Sequence, residues 1–153
     1  MLARFVAAVS LVIGLSFVPA VNAADEKPDT PTSLKGGKVV TVDEAKGMVD
    51  KKAAAFFDTR AAINFGKGHI PGASIVAYKE KSEFKADFDA SQDSFDLSKL
   101  PADKNAKIVF YSDSPQGWKS YKAAVTAVNA GYKNVGWMRD GFAAWTAKAL
   151  PVE

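Results

Sequence analysis

From residue 38 to its end, the chain alternates short apolar runs with segments whose apolar residues recur at helical spacing. The clearest pair is KIVFY at 107–111 and WKSYKAAVTAVNAG at 118–131, where Gly131 marks the end of the helix. Short runs that are apolar throughout are typical of parallel strands, because helices cover a parallel sheet on both faces. The alternation therefore predicts an α/β fold: one domain with a central parallel sheet and helices on both faces.

Five apolar runs predict the strands of this sheet: KVVTV, AAAFFD, SIVAY, KIVFY and NVGWM. Two further segments, VDEAKGMVDKKA and GFAAWTAKAL, have the spacing of helices. Residues 79–106 are mainly polar, and their few spaced aromatic and leucine residues predict an insertion that touches the core at a few points. Parallel sheets bind ligands beyond the carboxyl ends of their strands, so the loop that begins at Ser112 is the expected site.

The first 23 residues, MLARFVAAVSLVIGLSFVPAVNA, combine one basic residue with an apolar run and small residues before Ala23. This pattern predicts a cleaved signal peptide over 1–23, and the alternative is a membrane anchor, for which the apolar run is short. Prolines, charges and a glycine pair without periodicity predict a flexible linker over 24–37, followed by the domain at 38–153. We therefore expect a periplasmic or secreted protein with no membrane contact after cleavage.

The chain has no cysteine, and His69 is its one histidine. Thiol, persulfide and cysteine-metal chemistry are therefore excluded. A histidine metal site or a Ser-His-Asp triad would have only this one histidine available. We expect neither a metal nor a cofactor. The formal charge of +3 falls to +2 when the signal segment is removed with Arg4, which gives no reason to expect a nucleic-acid partner.

Four segments in this order resemble the rhodanese-like (sulfurtransferase homology) superfamily: FFDTR at 56–60, GHIPGA at 68–73, IVFYSDSPQGWKSYKAA at 108–124 and GYKNVGWMRDGFAAW at 131–145. The resemblance spans residues 38 to 149 and implies a rhodanese-like domain with a five-stranded parallel sheet. It also implies that Asp58, Arg60 and His69 frame the site and stabilise the fold. At the end of a strand, a carboxylate and a guanidinium are well suited to pair and to fix the loop that follows.

In the resembling enzymes a cysteine opens the loop, and amides at the start of a helix stabilise its thiolate, which carries a persulfide sulfur. The matching position in this chain is Ser112. A serine hydroxyl does not ionise near neutral pH without a base, and it cannot take up a sulfane sulfur. The resemblance therefore implies that the catalytic residue is missing, and sulfurtransferase activity is not expected.

The loop SDSPQGWKS is also longer than the short loop of the family and resembles periplasmic members that have two loop cysteines. Ser112 and Gly117 would occupy those two positions, and Trp118 stands where a phosphatase-type loop has its arginine. The amides of 113–118, apart from Pro115, and nearby hydroxyl and ammonium groups suit a small oxyanion. The candidate anion-binding loop consists of Ser112, Asp113, Ser114, Gln116, Gly117, Trp118, Lys119 and Ser120. A relic loop without a ligand is the alternative.

The leading hypothesis is an exported, non-catalytic accessory or binding module with a vestigial oxyanion-binding loop. Its partner would be a small oxyanion, such as sulfate, thiosulfate or phosphate, or a periplasmic protein. One alternative is a hydrolase-type enzyme with Ser112 as nucleophile, whose base would be Asp113, the Asp58/Arg60 region or His69. The other is a sulfurtransferase family member whose cysteine was lost or substituted.

Overall fold

The computed structural model describes residues 26–153 and contains five strands and four α-helices in this range. The strands are β1 (Lys38–Val39), β2 (Ala55–Asp58), β3 (Ser74–Ile75), β4 (Lys107–Tyr111) and β5 (Asn134–Met138). The helices are α1 (Val42–Asp50), α2 (Ala62–Lys67), α3 (Trp118–Asn129) and α4 (Gly141–Ala147). Neighbouring strands are parallel in the order β1-β5-β4-β2-β3, which confirms the predicted α/β fold with a five-stranded parallel sheet.

The sheet separates two hydrophobic cores, because consecutive side chains of a strand point to opposite faces. Phe110 of β4 and Trp137 of β5 pack against α3 on one face. Tyr111 and Met138, the next residues in the same strands, pack on the other face with Trp145 of α4 and with residues of α1. Helices therefore cover both faces, as the alternation of patterns predicts.

The ends of two helices follow from local sequence. Thr41 precedes α1 and accepts a hydrogen bond from the amide of Glu44, whose carboxylate accepts one from the Thr41 amide, so the two residues form a capping box. Gly131 follows α3 with a φ of +95°, a left-handed conformation that glycine adopts at low cost, and it ends the helix where the sequence predicts.

Two outer strands and one helix differ from the sequence prediction. The runs KVVTV and SIVAY form only the two-residue strands β1 and β3, and in the first of them Thr41 already serves as the cap of α1. The segment after β2 contains α2, a helix that the sequence does not predict. None of the residues in α2 is buried, so the sequence carries no apolar periodicity that would indicate this helix.

Residues 79–106 contain two 3₁₀ turns, Ala90–Gln92 and Leu97–Lys99, and fold back onto the α3 face of the sheet. The carboxylate of Asp93 holds this insertion together. It accepts hydrogen bonds from the Tyr78 hydroxyl, from the amides of Lys81 and Ser82, and from the Ser82 hydroxyl. Leu100 is buried in the core beside α3, so the insertion is fixed at both of its ends.

Part of the segment 24–37, for which the sequence predicts a flexible linker, packs against the rest of the domain. Thr30 and Leu34 are only 3% and 5% exposed, and Leu34 belongs to the core beside α3. The packed part of the chain therefore begins before Lys38, the predicted start of the domain. The predicted signal peptide at 1–23 lies outside the described residues. Within residues 26–153, no helix is long and apolar enough to cross a membrane.

Candidate functional site

A cleft of about 450 Å³ lies beyond the carboxyl ends of β2 and β4, where the sequence places the site. Its floor includes Ser112, the first residue after β4, which is 3% exposed. The rest of the loop up to Lys119 lines the cleft on one side, and Arg60 and Asn64 line it on another. Glu26 and Lys27 complete its wall, and the sequence analysis did not single out either of them.

The start of α4 holds the loop in place. The amide of Phe142 donates to the carbonyl of Ser112, and the amide of Ala143 donates to the carbonyl of Asp113, at 2.8 and 2.9 Å. Gly141 has a φ of +72°, and a Cβ atom at this residue would lie 2.5 Å from the amide nitrogen of Ser114. The glycine of the GFAAW segment is therefore required because the backbone of the loop passes directly over it.

The ring of inward-pointing amides is smaller than the sequence predicts. The amides of Gln116, Gly117 and Trp118 donate to acceptors within the loop. The carbonyls of residues 112 and 113 point to α4, and a trans peptide directs its N–H opposite to its carbonyl. The amides of Asp113 and Ser114 therefore point away from α4, and within residues 26–153 neither has a hydrogen-bond acceptor.

Arg60 connects the end of β2 with the loop. Its Nε and Nη2 atoms bind the Asp58 carboxylate at 2.7 to 3.1 Å, and Nη2 also donates to the carbonyl of Gly68. Nη1 lies 3.6 Å from Oδ1 of Asp113, and the guanidinium stacks 4.2 Å from the centre of the Phe142 ring. Burial opposes the charge of Arg60, but the bonds to Asp58 outweigh it and raise the pKa of Arg60.

His69 lies apart from the cleft, and the cleft-lining residues do not include it. Its Nδ1 atom lies 3.0 Å from the carbonyl of Phe65, and its ring stacks on the Phe65 ring. The backbone of His69 pairs with that of Glu153. Arg60 binds both carboxylate oxygens of Asp58, and within residues 26–153 neither Asp58 nor His69 forms the hydrogen bond to the Ser112 hydroxyl that a base requires.

Two of the predicted loop residues face inward. The Ser120 hydroxyl donates to the carbonyl of Gly117 and accepts a hydrogen bond from the indole of Trp137, so it is committed to the core. Trp118 is 3% exposed, and its indole N–H donates to the carbonyl of Pro28 at 2.7 Å. Lys119 is half-buried and lines the cleft.

The segment over Trp118 consists of residues 28–31, which we call the strap. Thr30 donates from both its amide and its hydroxyl to the carbonyl of Pro115. Arg139, just after β5, donates to the carbonyls of Thr30 and Pro31 at 2.9 Å. Lys27 pairs with Glu80 of the insertion, which lies 3.4 Å from the buried ammonium of Lys122. The strap thus joins the loop and β5 beside the cleft, and Lys27, just before it, joins the insertion.

Comparisons with known proteins agree with this architecture. The uncharacterized protein YibN of Escherichia coli K12 is 28% identical over 115 residues, which are 75% of this chain and 71% of YibN. The BH2092 protein of Bacillus halodurans has a TM-score of 0.60 at 18% identity over 76% of both chains. RPA3614 of Rhodopseudomonas palustris, described as a possible tyrosine phosphatase, has a TM-score of 0.57 at 22% identity over 82% of this chain and 98% of its own.

The two solved structures share the fold with this chain. The sequence model of the family described as "Rhodanese-like domain" matches residues 41–148, a range that extends from the cap of α1 to the end of α4. It includes the strand, loop and helix around Ser112 and the GFAAW segment that supports the loop. This chain, which contains no cysteine, is a member of the rhodanese-like domain family.

Proposed function

We propose that this rhodanese-like domain is a non-catalytic binding module, and that the cleft at Ser112 binds a small oxyanion without transferring sulfur. One observation carries the proposal. Beyond β4, where the resembling enzymes have a cysteine, a serine lies in a cleft beside the amides of Asp113 and Ser114, neither of which has an intramolecular acceptor within residues 26–153. Such amides are suitable donors for an anion.

The charges around the cleft predict that an anion binds only weakly, because two of its three cations are already paired with carboxylates. Lys27, Arg60 and Lys119 line it, against the carboxylates of Glu26 and Asp113. Asp113 is 64% exposed and lies 3.6 Å from Arg60, so it competes with an external anion for the same guanidinium. Export to the periplasm is part of the proposal and is supported by the signal-like segment over residues 1–23.

An NMR titration of the protein with thiosulfate, sulfate and phosphate tests this binding. We expect the largest shifts at the amides of Asp113 and Ser114. Asp113→Asn should strengthen binding about two- to fivefold, because it removes a competing charge, and Lys119→Gln should weaken it by a similar factor. Lys51→Gln is the control, since Lys51 is exposed at the end of α1 and does not line the cleft. No shift in the loop with any anion would contradict the proposal and point to a protein partner.

An assay of sulfur transfer from thiosulfate to cyanide tests the non-catalytic part separately. The wild-type protein should give no rate above the blank, because no thiol can hold the sulfane sulfur. Ser112→Cys should gain a measurable rate if the cleft holds thiosulfate beside this position. Turnover by the wild-type protein would overturn the non-catalytic assignment.

A further inference from the structure

A second cavity, of about 370 Å³, lies at the amino ends of the strands, opposite the end at which Ser112 lies. It opens beside the amino ends of β1, β4 and β5, three strands that are neighbours in the sheet. Nothing in the proposed function uses this end of the molecule. Its volume falls in the range of about 300–1,000 Å³ that is typical of small-molecule sites.

The inner wall of this cavity is apolar. Val40 and Val109 line it from the sheet, and Met48 of α1 lines it from the helix layer. Gly136 of β5 lies between the two valines, and a Cβ atom there would come within 2.9 and 3.0 Å of their methyl groups. Because this position has no side chain, the two valine methyl groups pack directly against the backbone of β5 and form an apolar wall, against which an apolar group could be removed from water.

The rim of the cavity is basic. Lys38, Lys107 and Lys133 line it, and within the described residues no acidic side chain does. Lys38 is paired with Glu44 at 2.7 Å, whereas Lys107 and Lys133 form no ion pair within residues 26–153. An apolar wall below two uncompensated ammonium groups is complementary to a molecule with an apolar body and one anionic end.

We propose that this cavity binds a small amphipathic anion, a carboxylate or sulfonate on a short apolar body. The apolar body would contact Val40, Met48 and Val109, and the anionic end would lie between Lys107 and Lys133. The lysine side chains suit this arrangement, because their methylene chains cover apolar surface while their ammonium groups stay at the rim. This site is independent of the cleft at Ser112.

A homologous series of straight-chain carboxylates tests both halves of the proposal by titration calorimetry with the full chain. From butyrate to octanoate, affinity should rise about fourfold per methylene, the equivalent of about 0.8 kcal/mol per buried CH₂. Acetate should not bind measurably, and neutral 1-octanol should bind at least tenfold more weakly than octanoate. An affinity that does not change with chain length would overturn the proposal.

Charge variants locate the site. Lys107→Gln together with Lys133→Gln should weaken octanoate binding at least tenfold and remove its advantage over 1-octanol. Lys67→Gln together with Lys81→Gln is the matched control, because both lysines are exposed and lie outside the cavity. Equal losses in the two double variants would mean non-specific attraction to positive charge and would overturn the assignment.

The dye 8-anilinonaphthalene-1-sulfonate, itself an amphipathic anion, gives a second readout. Its fluorescence should rise with the wild-type protein, fall when octanoate displaces it, and remain low with the Lys107/Lys133 double variant. Lys119→Gln should leave dye and octanoate binding unchanged, which separates this site from the cleft. If Lys119→Gln removes octanoate binding instead, the carboxylate binds in the cleft and the second site does not exist.

Discussion

The loop backbone packs so closely against itself at Gly117 that this single residue has no room for a side chain. A Cβ atom at this position would lie 2.8 Å from the Cβ atom of Ser112 and 2.8 Å from the carbonyl oxygen of Ser114. Cβ atoms joined through a disulfide are about 3.5–4.5 Å apart. The loop conformation therefore leaves no room for a cysteine pair at 112 and 117, the arrangement that the sequence resemblance of the loop implies.

Gly117→Ala should lower the free energy of unfolding by about 1–3 kcal/mol, because the loop must shift to admit a methyl group. Gly47→Ala is the matched control. Gly47 lies within α1 with open space around its missing side chain, so alanine there should raise stability by about 0.5–1 kcal/mol. Urea denaturation of both variants measures the difference, and an unchanged or raised stability of Gly117→Ala would contradict this view of the loop.

The Asp58–Arg60 pair supports the cleft and is buried, with side-chain exposures of 0% and 5%. Arg60→Gln leaves the buried Asp58 carboxylate without its partner and should cost about 3–5 kcal/mol of stability. Asp58→Asn together with Arg60→Gln removes both charges and should recover part of that loss. A double variant that is less stable than Arg60→Gln alone, as measured by chemical denaturation, would contradict a coupled pair.

At the level of whole elements, the strap is held by polar contacts that span long stretches of the chain. Trp118→Phe keeps an aromatic ring in the core but removes the donor to the Pro28 carbonyl. The Thr30 amide, which donates to Pro115, should then lose protection from hydrogen exchange. The exchange rate of this amide is the readout, because it reports opening of the strap rather than of the whole domain.

Trp145→Phe is the control for this experiment. The indole of Trp145 also donates to a proline carbonyl, that of Pro151, but on the α4 face of the sheet. Trp145→Phe should therefore leave the hydrogen-exchange rate of the Thr30 amide unchanged. Equal loss of protection in both variants would mean that the strap opens only with global unfolding.

The elements that the sequence predicts well are those whose apolar residues form a pattern. The strands β2, β4 and β5 bury consecutive side chains, and the helices α1, α3 and α4 bury side chains at helical spacing. The strap has no such pattern. Its backbone carbonyls accept hydrogen bonds from the side chains of Trp118 and Arg139, which lie far from it along the chain. Only a three-dimensional structure reveals a contact of this kind.

The sequence predicts the position of the candidate site, but only part of its detailed geometry. The carboxyl end of β4 follows from the order of strands and helices, and Ser112 follows from its position in the motif. Which amides point outward depends on hydrogen bonds from α4 to the loop, between residues about thirty positions apart. Ser120 has a hydroxyl group of the kind that binds anions, yet this hydroxyl accepts a hydrogen bond from the indole of Trp137.

For the whole molecule, the insertion connects the stability of the domain to pH through Asp93. Burial favours the neutral acid, but hydrogen bonds from Ser82, the Lys81 amide and Tyr78 outweigh it and lower the pKa of Asp93 to about 2. A group whose pKa is lower in the folded state stabilises that state above its unfolded pKa of 3.8. This stabilisation is lost as the pH falls through the folded value.

Asp93→Asn should therefore lower the free energy of unfolding by about 2 kcal/mol at pH 6, because charged hydrogen bonds are replaced by weaker neutral ones. The difference from the wild-type protein should stay constant down to about pH 4 and shrink as the pH falls toward 2. Asp140→Asn is the control, since Asp140 is exposed and its side chain caps no helix amide, and its effect should be within about 0.5 kcal/mol. Urea denaturation between pH 6 and pH 3 measures both differences. A loss for Asp93→Asn that is equally large at pH 3 and pH 6 would show that the charge of Asp93 does not hold the insertion on the sheet.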